Sequence, residues 1–278
     1  MDAYELSNDD YVRVQRATMR VLHDCMENFG LDFRGPEVYA SKYPKNATML
    51  GWLGANDVDR YGYRGPVGFT EDMAAAARRE SRPIVIPESQ LPVFEGSVTT
   101  YNGKVVPKGG CDEETRRKLN GGEISMQVEK TDPAVSPERG IQALRQQEGD
   151  RARSDPRFLS AVRSWSACMR KRGFQYRNPD ESMSDPRWTP EEQTAGSPPS
   201  QREIATAAAD RDCRDEVNFS GLLRLLVAHY EDEVIHTQSR RIHEIAELLK
   251  TRARNASKIL RRPPQAVTLP LLRFFGSG

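Results

Sequence analysis

No run of apolar residues in the 278-residue chain approaches the roughly 20 that a membrane-spanning helix needs. Neither sign of charge is in excess: 41 Lys and Arg face 40 Asp and Glu, a net charge of +1. That balance removes the electrostatic case for a general nucleic-acid or anionic-membrane binder and leaves only local patches to argue otherwise. Catalytic signatures are missing as well. There is no Gly-x-Ser-x-Gly, Walker loop, Gly-x-Gly-x-x-Gly, His-Glu-x-x-His or calcium loop. A general hydrolase or nucleotide enzyme is therefore disfavoured, and no residue is assigned a catalytic role. Met1 runs into Asp2-Ala3-Tyr4-Glu5-Leu6 without the basic start, apolar stretch and small-residue site of a signal peptide. The expectation is a cytosolic chain or one whose export segment has been cut away. At the other end, Gly276-Ser277-Gly278 after the apolar Leu269 to Phe275 reads as an appended linker.

What is present is a chain of 37% hydrophobic and 29% charged residues, polar but able to form a modest core. Its four cysteines fall inside an internal repeat. Cys25-Met-Glu-Asn-Phe-Gly-Leu-Asp-Phe-Arg-Gly-Pro36 aligns without gaps to Cys168-Met-Arg-Lys-Arg-Gly-Phe-Gln-Tyr-Arg-Asn-Pro179. Each copy ends a helical pattern. Val14, Val21, Leu22, Cys25, Met26 and Phe29 form the first stripe, after a Ser7-x-x-Asp10 capping signal, and Gly30 stops it. Phe158, Val162, Trp165 and Met169 form the second, stopped by Gly173. One later cysteine follows each copy at the head of a charged helical stretch, Cys111 to Leu119 and Cys213 to Phe219. The simplest pairing is Cys25 with Cys111 and Cys168 with Cys213. Closing loops of 86 and 45 residues would contribute about 4 kcal/mol each in the chain-entropy model, and would place the protein outside a reducing cytosol. The competing reading is four buried free thiols. A zinc site fits less well, because no two cysteines have ligand spacing.

The Cys-Met-x3-Gly-apolar-x-aromatic helix end, Trp165-Ser-Ala-Cys-Met169, Arg60-Tyr-Gly-Tyr-Arg64 and Val105-Val-Pro-Lys-Gly-Gly-Cys111 resemble a loosely defined set of actinobacterial secreted proteins and lipoproteins. The resemblance covers most of the chain, and its motifs are structural. It implies an extracellular or cell-envelope location and brings no activity with it. Lipoproteins of that set carry a lipid-modified cysteine just upstream of the mature domain. This chain has none, so a membrane enters only through a removed anchor or a transporter partner.

The expected organisation is a first helical unit over 1–120, a linker region over 121–155, a second helical unit over 156–262 and a tail over 263–278. In the first unit, Gly51-Trp-Leu-Gly54 and Tyr61-Gly-Tyr63 supply an aromatic loop, and Thr70 to Arg79 reads as an alanine-rich helix. Asn102-Gly103, flanked by Ser97 to Val106, is a hairpin signal. A helix is expected near Pro137 to Gly149 and a proline-rich loop over 178–200. Between about 201 and 259 there is no proline, and Leu222, Leu226, Tyr230, Val234, Ile242, Ile245 and Leu249 keep near-helical spacing. One helix of roughly 60 residues and ~85 Å, interrupted if anywhere near Asn218 to Gly221, would project, fold back or pair with another chain.

On that stretch His229, His236 and His243 recur every seven residues, and Glu233-Val-Ile-His236 has the Glu-x-x-His spacing of di-iron bundles. Such a site needs a second copy, which the chain lacks. The competing reading of His229, Glu233, His236 and His243 is a solvated polar flank. The basic stretch Lys250 to Arg262 reads either as a contact for acidic polymers or lipid headgroups or as a solvated helix end favoured by the helix dipole. Trp52, Tyr61, Tyr63, Phe69 and Phe94 read either as a ligand pocket or as core.

The expected fold is mainly α: two disulfide-stapled helical units, a small β-hairpin in the first and a long C-terminal helix. The expected function is that of a non-catalytic exported envelope protein, without a cofactor, binding a protein or peptide partner such as a transporter subunit. The alternatives are an assembly protein self-associating through the long helix, and a metal-binding or enzymatic protein using the histidine face.

Overall fold

The computed structural model describes residues 1–38, 57–66, 68–69, 85–122, 137–188 and 198–261. Trp52, the segment from Thr70 to Arg79 and the tail over 263–278 lie outside them. In chain order the helices are α1 (Asn8–Asn28), α2 (Val58–Tyr61), α3 (Leu91–Glu95), α4 (Gly110–Asn120), α5 (Pro137–Ser154), α6 (Pro156–Lys171), α7 (Pro179–Met183), α8 (Gln201–Glu216), α9 (Phe219–Thr237) and α10 (Ser239–Arg261). Among the described residues a single antiparallel pair, β1 (Thr100–Tyr101) and β2 (Lys104–Val105), lies between α3 and α4. Both disulfides expected from the repeat are present, Cys25–Cys111 and Cys168–Cys213. The fold is mainly α, stapled twice, with one small hairpin.

Two compact units divide the chain, and each is discontinuous in sequence where contiguous units were expected. The smaller holds Arg13–Pro36, Ile84–Ile124 and Thr251–Gly278; the larger holds Met1–Val12, Glu37–Pro83 and Ser125–Lys250.

In the smaller unit, Leu22, Met26, Phe29 and Phe33 form a core with Val93, Val106 and Cys111. Asn102 and Gly103, both at positive φ, turn the hairpin as an Asn-Gly pair should. Asn102 Nδ2 also donates to the Phe29 carbonyl at 3.0 Å, which ties the turn to the end of α1. The approach to α4 is unusually close: a Cβ on Gly110 would lie 2.1 Å from the Phe94 carbonyl oxygen, and one on Gly96 would lie 2.2 Å from the Gly110 nitrogen. No other residue type lets these two backbones cross.

In the larger unit, α5 packs on α9, and α6 packs on α5, α8 and α9. Asp155, Asn178 and Ser200 cap α6, α7 and α8 by accepting backbone N–H bonds from Arg157, Glu181 and Glu203. Besides a small contact of Val58 with Ala207, two larger apolar clusters result. Trp165, Cys168, Met169, Tyr176, Trp188, Ala209 and Cys213 surround the cystine, and Ala152, Phe158, Phe219, Leu223, Leu226 and Val227 lie between α5, α6 and α9.

The two copies of the repeat end their helices with the same hydrogen bonds. In α1 the Phe29 and Leu31 amides donate to Met26 O and Gly30 donates to Glu27 O. At the aligned positions after α6, Arg172 and Phe174 donate to Met169 O and Gly173 donates to Arg170 O. Gly30 and Gly173 both take positive φ, as a helix stop of this kind requires.

Three expectations are corrected. The single C-terminal helix is three helices: Asn218, left-handed at φ 49°, separates α8 from α9, and Gln238 separates α9 from α10. The first break falls where the sequence allowed one, whereas the second has no proline or glycine to mark it. The continuous long helices are α1, at the N-terminal side, and α10. Residues 178–188, expected as loop, form α7 and a single 3-10 turn over Pro186–Trp188, because Asn178 caps and Pro179 starts the helix. Residues 137–154, expected between the units, form α5 within the larger one.

Candidate functional site

The most polar buried position in the larger unit is Asp210, which with Glu203 is fully buried on α8. Both of its carboxylate oxygens accept from side chains of several elements. Arg214, one turn along α8, donates from Nε to Oδ1 at 2.7 Å and from Nη2 to Oδ2 at 3.2 Å. Trp165 Nε1 on α6 donates to Oδ1 at 2.8 Å, and the Tyr63 hydroxyl and Ser182 Oγ each donate to Oδ2 at 3.1 Å. Trp188 Nε1 then donates to the Ser182 carbonyl at 2.6 Å. One carboxylate thus gathers α6, α7, α8, the 3-10 turn and the segment following α2 beside the Cys168–Cys213 cystine.

Glu203, two turns earlier on the same face of α8, does the same work. Its Oε1 accepts the Tyr63 amide at 3.2 Å, and its Oε2 lies 3.3 Å from Arg64 Nε. Arg64 also donates from Nη2 to the Trp188 carbonyl. Burial raises the Glu203 pKa against the opposing pull of the Arg64 charge. Burial, and then the negative Asp210, push the Tyr63 phenol well above its ordinary range, so it is a fixed donor at all physiological pH values.

The surface held by this hub carries aromatic, arginine and methionine side chains. Arg187 lies over the Trp188 ring at 5.4 Å, donates from Nη2 to the Tyr176 hydroxyl at 3.0 Å and grips Asp185 through Nε at 2.9 Å. The Arg187 hydrogen bonds hold the Asp185 carboxyl well below the usual carboxylate range. Burial, then the bond to Asp185, moves the Tyr176 phenol up to about 12. Met183 is 37% exposed while its sulfur accepts from Arg214 Nη2 at 3.7 Å. Tyr61 is half-buried beneath Arg60, whose guanidinium lies 5.0 Å from the ring centre. Every one of these donors on Asp210 comes from the scaffold itself, so the hub ties together the elements that carry this surface.

The aromatic set is divided. Tyr63 and Trp188 lie 6.1 Å apart beside the hub, Tyr61 and Phe69 belong to the same unit, and Phe94 packs in the core of the smaller unit. Trp52 is outside the described residues. The histidine face is also dispersed. His229 and His236 lie on α9 and His243 on α10, all exposed, and Glu233 is taken by Arg151 at 2.8 Å. His236 and His243 face the carbonyls of Asp232 and Ser239 through Nδ1, and His243 meets the Tyr4 ring edge-on at 5.2 Å. No three of His229, Glu233, His236 and His243 bring donor atoms within 4.8 Å of one another. The group that does converge among the described residues is His23, Asp24 and Glu27 on α1, with His23 Nδ1 3.6 and 3.8 Å from the two carboxylates. Its spacing was in the sequence, although Arg20 at 3.9 Å from Asp24 competes for that carboxylate.

Compared with known proteins, the chain matches no family model, no curated protein and no solved structure. Among the described residues no helix is long and apolar enough to cross a membrane.

Proposed function

We propose that the protein is a non-catalytic exported protein of the cell envelope that binds a protein or peptide partner, such as a transporter subunit, through the surface held by the Asp210 hub. The observation that carries this reading is the fate of the buried polar groups: both Asp210 oxygens are engaged by donors from α6, α7, α8 and the Tyr63 segment. Such a network fixes the surface that its elements carry. On the elements that the hub ties together are Tyr61, Met183 and Arg187, side-chain types that concentrate binding energy in protein interfaces. Two disulfides are compatible with an oxidising compartment and support an extracellular setting.

A photoreactive amino acid in place of Met183, introduced in the producing cells, tests the reading. One discrete adduct is expected, abolished by Arg187→Ala, with the four cysteines protected from alkylation until a reductant is added. Free thiols in intact cells together with no adduct would overturn it.

A further inference from the structure

The chain is almost neutral, but its charge is segregated. Among the described residues the smaller unit carries 13 Lys and Arg against 8 Asp and Glu, a net +5, and the larger carries 20 against 24, a net −4. Much of the excess lies in the final turns of α10. Thr251 to Arg261 includes Arg252, Arg254, Lys258 and Arg261 and no acidic residue.

The packing divides these four. Arg252 is buried and donates from Nε to Asn120 Oδ1 at 2.5 Å; Asn255 Nδ2 donates to the Leu119 carbonyl at 2.9 Å. These bonds fasten one face of α10 to the end of α4. Arg254, Lys258 and Arg261, at i, i+4 and i+7, share another face and are exposed. None of the three forms an ion pair with a described residue; Arg254 donates only to the Thr251 hydroxyl, at 2.9 Å. Arg20 of α1 reaches the Leu260 carbonyl at the same end from Nη1 at 3.5 Å, but its charge is shared with Asp24 at 3.9 Å, so the row is the three cations of α10. The helix dipole accounts for Lys258 and Arg261 in the last turn. It does not account for Arg254 two turns back, where the favourable effect has decayed.

We infer that this face seats the protein peripherally on an anionic phospholipid surface. Seven residues of straight helix place the three cations in a row about 10 Å long. A row on a rigid convex element meets a flat array of phosphates better than it grips a flexible polymer, which a concave groove would hold. The inference uses only the smaller unit and does not depend on the partner-binding surface.

The test is sedimentation of the full, oxidised chain with vesicles of phosphatidylglycerol and phosphatidylcholine, or of phosphatidylcholine alone. Binding to the anionic vesicles alone is expected, weakening as salt shortens the Debye length from about 10 Å at 0.1 M to about 3 Å at 1 M. Each basic residue near such a surface is worth about fivefold in partition, so Arg254→Gln, Lys258→Gln and Arg261→Gln together should lower it about 100-fold. A matched triple of exposed arginines in the larger unit, Arg163→Gln, Arg202→Gln and Arg224→Gln, should change it less than about threefold. Equal losses from the two triples, or no preference for phosphatidylglycerol, would overturn the inference. Binding of soluble polyphosphate with the same variant dependence, and none to vesicles, would also overturn it in favour of an acidic polymer.

Discussion

Asp210→Ala is the most exposing single change in the larger unit. It removes the carboxylate that Arg214, 4% exposed, grips with two hydrogen bonds, and the acceptor of Trp165 Nε1 and Tyr63 OH. Ser182 is less affected, because its single hydroxyl hydrogen has a second acceptor within reach, the Pro179 carbonyl at 2.8 Å. Breaking one side of a buried ion pair costs about 3–5 kcal/mol, and each orphaned neutral donor about 1–3 kcal/mol before relaxation. A loss of at least ~4 kcal/mol is expected, a large share of the 5–15 kcal/mol typical of a domain. Trp165, which donates to Asp210, and Trp188 both lie in the larger unit, so urea unfolding followed by tryptophan fluorescence reads that unit. The double change Asp210→Leu with Arg214→Met removes both charges and should recover more than half of the loss, because a buried pair contributes little net over apolar residues of similar size. A single variant that loses less than ~1 kcal/mol, or a double variant less stable than the single one, would refute the account of Asp210 as the organising acceptor.

Two further outcomes follow from the same unit. Removing the second cystine by Cys168→Ala and Cys213→Ala opens a 45-residue loop and should lower the fluorescence-detected stability by about 4 kcal/mol; a change below ~1 kcal/mol would show that the cross-link is incidental. Glu203 has its pKa raised in the fold above its ordinary value near 4.5, so between those two values the folded state holds more protons than the unfolded one. Stability should therefore fall as pH rises through that window, and Glu203→Gln should flatten this part of the urea-midpoint profile; an unchanged slope in the variant would assign the effect to another group.

The features legible in the sequence share one property: each is written in a few contiguous residues with a single physical meaning. Asn102-Gly103 supplies the two positive φ angles of the hairpin, and Gly30 and Gly173 stop their helices with equivalent bonds. The cystines were legible because the repeat sorts four cysteines into two pairs. The Asp210 hub was not legible. Asp210 and Arg214 stand four apart, as an ordinary solvated helix pair would, and only the packing of α6 and Tyr63 against α8 buries them. The one local hint is their setting, after the small residues Ala205 to Ala209, which allow neighbouring elements to come close. The break at Gln238 had no hint, since Thr237-Gln238-Ser239 contains no helix breaker. Without that break the histidines line one face; with it, His243 belongs to a separate helix and turns to Tyr4.

Buried charge also bears on why the chain carries disulfides. Arg145 is buried among Asp2, Glu231 and Glu5 at 2.6, 3.1 and 3.5 Å, and Glu148, almost fully buried, pairs with Arg151 at 2.7 Å. Together with Asp210–Arg214 these pairs place ions where a typical domain places leucine and isoleucine. Buried pairs fix register and orientation, but their desolvation cancels most of their attraction, so they add little to the free energy of folding. A chain that spends interior positions this way needs stabilisation from another source. The two cross-links supply it at roughly 4 kcal/mol each by constraining the unfolded chain. In a reducing compartment that contribution disappears while the desolvation cost stays, and this asymmetry is the strongest physical argument for a working environment in which the cystines persist.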